Sequence, residues 1–120
     1  MLLTGTAALG AYGADTNDDL VGNAGANTLA GRLGNDKLTG GAGADTFVFG
    51  KYFQQDRILD FQDDLDQIRI QNIADVTNIA DARAHATQVG ADVLFDFGNG
   101  DRLTVHRTTI DAVVDDLIFA

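Results

Sequence analysis

A single large apolar residue recurs every nine positions in the first half of the chain, between neighbours that are mostly small or polar. The four residues are Leu20, Leu29, Leu38 and Phe47. One inward-facing side chain between outward-facing neighbours suits a very short β-strand, because successive side chains of a strand point to opposite faces. The pattern therefore predicts a succession of short strands separated by six-residue turns.

The intervening residues repeat in the same register. Residues 13–48 divide into GADTNDDLV, GNAGANTLA, GRLGNDKLT and GGAGADTFV. Each unit begins with Gly, and three of the four have Gly again at the fourth position, where positive φ permits a tight turn. Two units make one coil of 18 residues, and parallel strands of successive coils lie about 4.8 Å apart. Turns two units apart are therefore expected to stack on one side of the molecule.

This stacking would bring together the side chains at the sixth position of each unit, Asp18 with Asp36 and Asn27 with Asp45. Carboxylates that meet beside backbone carbonyls repel each other and require a cation. An all-oxygen cage favours calcium over zinc or copper, and magnesium demands a tighter octahedral shell. The alternative is a metal-free set of glycine-rich turns, since Gly-Asn and Gly-Asp are common turn pairs. The strict nine-residue register favours calcium.

The second half of the chain shows the patterns of longer strands. Residues 57–61 and 67–70 are predicted strands around an acidic turn. Residues 85–89, 92–97 and 102–107 are predicted to form three antiparallel strands, with a hairpin turn at residues 98–101. A short helix is expected over residues 79–86. The prediction is an all-β fold in which residues 49–120 cap the coil of the first half.

Composition narrows the function classes. The 120 residues are 45% hydrophobic, enough to bury a core, and include no Cys, Ser or Glu. All 18 acids are Asp, and the net charge is −10. Cysteine and serine nucleophiles, disulfides and thiolate zinc sites are thereby excluded. An EF-hand is rejected because its loop requires Glu at the twelfth position. We expect no enzyme in this chain, no nucleic-acid binding and no membrane span.

The segment GNAGANTLAGRLGNDKLTGGAGADTFVFG resembles the glycine- and aspartate-rich repeats of RTX proteins, which form a calcium-binding parallel β-roll. Residues 56–68 and 89–105 look like the segments that follow the roll in serralysin-type C-terminal domains, and residues 115–120 resemble the usual RTX terminus. The resemblance implies a parallel β-roll over residues 13–48, within an N-terminal unit of residues 1–48 that includes a cap. Antiparallel strands and hairpins of residues 49–120 would close the roll.

The resemblance also implies which atoms bind calcium. The side chains would be those of Asp18, Asn27, Asp36 and Asp45, with Asp56 or Asp60 serving where the roll meets the next strand. The implied backbone carbonyls are those of Gly13, Gly22, Ala24, Gly31, Gly34, Gly41 and Gly43. Asn27 carries no charge, so its site is expected to bind more weakly. Two to four Ca²⁺ ions are expected.

For function, the resemblance implies a module of a longer secreted protein that folds on binding calcium outside the cell. Its partner would be a type I secretion apparatus that recognises the C-terminus, in keeping with an N-terminus unlike a signal peptide. The parent would be a serralysin-like protease or an epimerase.

The alternative is a module that binds a surface or an acidic polysaccharide through a basic strip of Arg69, Arg83, Arg102 and Arg107, as similar-looking modules of alginate epimerases do. Sparse basic residues and the negative net charge weigh against it. His85 and His106 are interpreted as surface residues of strands.

Overall fold

Each nonapeptide contributes one short strand, and successive strands alternate between two sheets in the computed structural model, which describes residues 2–50 and 52–119. The strands of the repeat region are β1 (Gly10–Tyr12), β2 (Asp19–Val21), β3 (Thr28–Ala30), β4 (Lys37–Thr39) and β5 (Thr46–Gly50). Leu20 pairs in parallel with Leu38, and Leu29 with Phe47. These partners are 18 residues apart, which confirms the predicted coil and the parallel β-roll.

Residues 52–119 add six strands and two short helices. They are β6 (Gln55–Ile58), β7 (Gln67–Gln71), α1 (Ile79–Ala84), β8 (Ala86–Val89), β9 (Asp92–Asp96), β10 (Arg102–Val105), α2 (Ile110–Val114) and β11 (Leu117–Phe119). One sheet has the order β1-β3-β5-β7-β11, and the other has the order β2-β4-β6-β10-β9-β8. Ala120, the last residue of the RTX-like terminus, lies outside the described residues.

The C-terminal half continues both sheets of the roll. Strand β9 pairs antiparallel with β8 on one side and with β10 on the other, as the sequence predicts. However, β6, β7, β10 and β11 each pair in parallel with the strand before them in their sheet. The roll therefore extends beyond residue 48, and only one end of the six-stranded sheet is antiparallel.

The recurring apolar residues form the axis of the core. Leu20, Leu29, Leu38 and Phe47 are each at most 1% exposed. Ala11 is also fully buried and pairs with Leu29, so residues 4–12 form a further unit in the same register. The strands keep the turns between the sheets in stacked order, and this order positions the polar side chains described next.

No helix within residues 2–50 or 52–119 has the length and apolar character needed to cross a membrane.

Candidate metal centre

Stacked turns carry the sixth-position side chains into two ladders on opposite sides of the roll. The first ladder comprises Asp18, Asp36 and Asp56. The backbone N–H of Asp18 donates to Asp36 Oδ1 at 2.7 Å, and that of Asp36 donates to Asp56 Oδ1 at 3.1 Å. The carboxylates of Asp36 and Asp56 therefore fix the backbone of the turn stacked on each, and Asp18 and Asp36 lie together as the sequence predicts.

The second ladder comprises Asn27, Asp45 and Asp66. The N–H of Asn27 donates to Asp45 Oδ1 at 2.8 Å, and the N–H of Asp45 donates to Asp66 Oδ1 at 2.9 Å. The predicted juxtaposition of Asn27 and Asp45 is thus present. Both ladders use one carboxylate oxygen for the neighbouring turn, which leaves the second oxygen for another partner.

Three of these second oxygens have no hydrogen-bond partner among the described residues. They are the Oδ2 atoms of Asp36, Asp45 and Asp56, all of them buried. An ionised oxygen that is buried without a donor is strongly disfavoured, and neighbouring carboxylates cannot donate to one another while both are ionised. The orphaned oxygens are therefore suited to a cation.

Burial also raises the pKa of the ladder carboxyls, because the charged form loses its water. The pKa of Asp45 rises to about 6, and that of Asp56 rises to about 8. The pKa values of Asp36 and Asp66 are raised for the same reason. Neighbouring carboxylates add to the effect, such as Asp18 beside Asp36. A positive charge in the ladder would relieve both burial and repulsion.

Backbone carbonyls from the adjacent turn lie against the glycines of these turns. A Cβ added at Gly43 would lie 2.7 Å from the Gly25 oxygen and 2.8 Å from the Ala24 oxygen. In the first ladder, the Thr16 carbonyl oxygen takes the same place against Gly34. Carbonyl and carboxylate oxygens thus converge between stacked turns, and this donor set fits calcium.

The predicted ligands fall into distinct positions. Asp18, Asn27, Asp36, Asp45 and Asp56 lie in the ladders. Asp60 differs, because its two oxygens accept the N–H groups of Gly40 and Gly41, each at 2.8 Å.

Among the carbonyl oxygens that are predicted to bind calcium, those of Gly22, Ala24 and Gly31 face the Cα atoms of glycines in a stacked turn. The remaining four, Gly13, Gly34, Gly41 and Gly43, are glycines whose missing side chains admit such oxygens. The assignment of each atom as a calcium ligand stays a prediction.

Two buried carboxylates were not among the calcium ligands predicted from the sequence. Asp66 ends the second ladder, and Asp101 accepts the N–H groups of Tyr52 and Gln54, each at 3.2 Å. Both begin an Asp-x-apolar triplet at the start of a strand, as Asp36 does before Leu38. The same triplet also occurs at Asp92 and Asp115, so it marks the start of a strand but does not by itself identify a ladder position.

The remaining candidate groups lie outside the ladders. Oxygens of Asp63, Asp64 and Asp116 lie within 4.8 Å of one another, but Asp63 and Asp64 are exposed. The histidines are not within strands, contrary to the sequence interpretation: His85 caps the C-terminus of α1, and His106 follows β10 and pairs with Asp92 at 3.1 Å.

The four arginines of the predicted basic strip are spread over the molecule. Arg69 lies in the five-stranded sheet and Arg102 in the six-stranded sheet. Arg83 pairs with Asp111 at 2.8 Å, and Arg102 approaches Asp96 at 3.4 Å. Arg107 borders a groove whose lining also includes Lys37 and Arg57.

Comparison with known proteins identifies the repeat. Residues 12–47 match the family model of the RTX calcium-binding nonapeptide repeat, in four copies. The fold is similar to that of the extracellular lipase LipA from Serratia marcescens, with a TM-score of 0.71 and 26% identity over 92% of this chain. The match covers 21% of the lipase, so this chain spans about a fifth of its length.

A second solved structure is that of the AlgE6R3 subunit from the Azotobacter vinelandii mannuronan C5-epimerase. It shares 19% identity with this chain over 98% of this chain and 81% of that one, with a TM-score of 0.37. A TM-score this low carries no argument about the present chain. A search of curated proteins gives no match.

Proposed function

Because this chain is an RTX calcium-binding β-roll domain, we propose that it serves as the calcium-dependent folding and secretion module of a larger extracellular protein. The observation that carries the proposal is the set of buried Oδ2 atoms on Asp36, Asp45 and Asp56, for which residues 2–50 and 52–119 provide no hydrogen-bond partner. When bound, calcium would supply positive charge, and the carboxylate and carbonyl oxygens of stacked turns would coordinate it.

Without a cation, the ladders oppose folding. Their carboxyls are buried beside one another, and the chain carries a net charge of −10. Strands β1 to β4 have three residues each, and each contributes one fully buried apolar side chain to the core. This small core offsets little of the conformational entropy lost on folding. The free energy of calcium binding therefore becomes folding free energy.

The calcium concentration at which the module folds indicates where the module works. Extracellular calcium modules bind at about 10⁻⁴ to 10⁻³ M, so the chain would stay unfolded inside a cell and fold after export. A type I secretion apparatus that passes unfolded chains and recognises residues 115–120 is the partner that suits this behaviour. The similarity to a lipase described as extracellular supports a secreted location. Any catalytic activity would belong to other parts of the parent protein.

A calcium titration followed by far-UV circular dichroism tests the proposal. We expect a disordered spectrum in chelator that becomes β-rich at about 10⁻⁴ to 10⁻³ M calcium. Magnesium at the same concentrations is the control and is expected to leave the chain disordered, since it requires near-octahedral geometry. A β-rich spectrum that chelator does not change would show that the turns fold without the ion, and the folding switch would be wrong.

Calcium binding to protein that is already folded is expected to release protons at pH 7, whereas the carboxyls of a disordered chain are already ionised and have no proton to release. Burial raises the pKa of Asp56 to about 8, so this carboxyl is largely protonated at pH 7 and must ionise before it binds a cation. Titration calorimetry in buffers with different ionisation enthalpies measures the release, and at pH 9 the release should disappear. Buffer-independent heats at pH 7 would show that binding starts from the disordered chain, and full release in Asp56→Asn would contradict the assignment of the proton to Asp56.

The same carboxyls make the calcium-free fold less stable as the pH rises, whereas they make calcium binding stronger. Their pKa values exceed the value of about 4 in the unfolded chain, so protonation favours the folded state. This stabilisation is complete below about pH 4 and is lost as the pH rises through about 6 for Asp45 and about 8 for Asp56. Calcium affinity should instead increase over that range.

Binding of an acidic polysaccharide is the second candidate. The groove lined by Lys37, Arg57, His106 and Arg107 favours it, because these side chains gather positive charge on an acidic protein. Asp92 lies in the same groove and pairs with His106. The calcium proposal has the stronger support, since it accounts for buried polar atoms that otherwise lack partners.

A further inference from the structure

The outermost pair of stacked turns is closed by asparagine amides. Residues 4–9 form a turn that stacks on residues 22–27, and Asn23 and Asn27 occupy the space between them. Asn23 Nδ2 donates to the carbonyl oxygens of Thr4 at 3.1 Å and Ala7 at 3.0 Å. Asn27 Nδ2 donates to the Leu9 oxygen at 3.2 Å. Amide hydrogens thus point at the carbonyls of the first turn.

The orientation of both amides is determined by their other hydrogen bonds. Asn23 Oδ1 accepts the Gly25 N–H at 2.8 Å and Asn27 Nδ2 at 2.9 Å. Asn27 Oδ1 accepts the Asn23 N–H at 2.8 Å. A flipped amide would place its NH₂ group against a backbone N–H, so the donors must face the carbonyls. The side chains are also buried, with Asn23 7% and Asn27 2% exposed.

The gap between residues 4–9 and residues 22–27 differs from the gaps between the stacked turns of the two ladders. Asp36, Asp45 and Asp56 each leave a buried oxygen without a donor, whereas the described contacts here pair three carbonyls with two NH₂ groups. The sixth position of the first turn is Leu9, which brings no carboxylate. Thr6 and Ala7 oxygens lie against Gly25 as carbonyls do in the ladders, but the gap has no carboxylate among these contacts for a cation to neutralise, and amide hydrogens occupy three of its carbonyl oxygens.

We propose that Asn23 and Asn27 act as an amide seal that replaces calcium between residues 4–9 and residues 22–27. The seal closes the Asn27 end of the second ladder and excludes an ion from this gap. It holds the first coil in place without a bound ion. The proposal rests on the proposed function in one respect, namely that the gaps of the two ladders bind calcium. Asn23 is then a structural residue that limits the number of ions.

Two variants of Asn23 test the seal, with bound calcium counted by native mass spectrometry and thermal unfolding followed at saturating calcium. Asn23→Ala removes both donors, and we expect the wild-type number of ions with a melting temperature lower by about 5–10 °C. Asn23→Asp puts carboxylate oxygens against the Thr4 and Ala7 carbonyls, and we expect it to bind one additional calcium ion. Asn99→Asp adds the same charge at an exposed turn and serves as the control.

The outcomes separate the seal from the proposed function. Loss of an ion in Asn23→Ala would mean that Asn23 belongs to a calcium site, and an unchanged melting temperature would mean that no seal exists. Asn23→Asp that matches Asn99→Asp in ion count and melting temperature would also overturn the inference. A wild-type protein that binds no calcium would refute the proposed function, while a lower melting temperature of Asn23→Ala would still support the seal.

Discussion

Asp36→Asn is expected to weaken the calcium-loaded protein and to stabilise the calcium-free one. Asp36 is the middle member of the first ladder, and its buried Oδ2 has no partner in the part of the chain that the structure describes. With calcium, the variant lacks one charged ligand, and the titration midpoint should rise at least about tenfold, which corresponds to about 1.4 kcal/mol. In chelator, it lacks a buried carboxyl beside Asp18 and Asp56, so more β-structure should survive.

The substitution by asparagine removes only the charge at residue 36, because the asparagine Oδ1 can still accept the Asp18 N–H. Calcium titration and thermal unfolding, each followed by circular dichroism, give the two effects. Asp15→Asn removes the same charge from an exposed site in the neighbouring turn and should change neither by much. Effects of equal sign with and without calcium would indicate a packing role and would contradict the role of Asp36 as a ligand.

Gly43→Ala is expected to lower the free energy of unfolding at saturating calcium by about 2–4 kcal/mol. Gly43 has φ +88°, a conformation that costs a residue with a Cβ about 1 kcal/mol. The added Cβ would also lie 2.7 and 2.8 Å from the carbonyl oxygens of Gly25 and Ala24, and such overpacking costs about 1–3 kcal/mol. The turns would separate and the converging oxygens would lose their spacing.

Gly98→Ala is the matched control for this prediction. Gly98 has φ +84°, and a Cβ there would meet nothing within 4 Å. It should therefore lose only the backbone contribution of about 1 kcal/mol. Chemical denaturation of both variants at saturating calcium gives the difference. Equal losses would show that the stacked turns tolerate a side chain, and the close approach of carbonyls would not be a requirement of the site.

The repeat region was predictable because one spacing governs its strands, turns and polar side chains together. Leu20 and Leu38 pair in register for the same reason that Asp18 and Asp36 meet, since both pairs are two units apart. Beyond residue 48 the spacing changes. Asp56 follows Asp36 by 20 residues and Asp66 follows Asp45 by 21. A search for a nine-residue period therefore misses Asp66, although the local triplet is preserved.

The pairing of the C-terminal strands depends on contacts that no local pattern encodes. The hairpin between β9 and β10 was predictable from its glycine-rich turn. The parallel pairing of β10 with β6 joins residues 47 apart, such as Leu103 and Asp56, across the intervening β7, α1, β8 and β9. It is selected by burial of the common core, to which Leu103 and Val105 contribute. Alternating polarity predicted these strands but not their neighbours.

The ladder contacts also determine how steeply the protein responds to calcium. Asp36 contacts a turn on each side, so if the ladder oxygens bind calcium as proposed, a cation on one side of Asp36 would order a carboxylate used on the other. Sites coupled in this way fill as a one-dimensional array with nearest-neighbour interactions. The Hill coefficient then grows with the number of consecutive carboxylates in a ladder, and an asparagine within the array divides it into shorter, less cooperative segments. The length of an uninterrupted aspartate ladder is thus a means of setting the sharpness of a calcium threshold independently of the affinity of any one site.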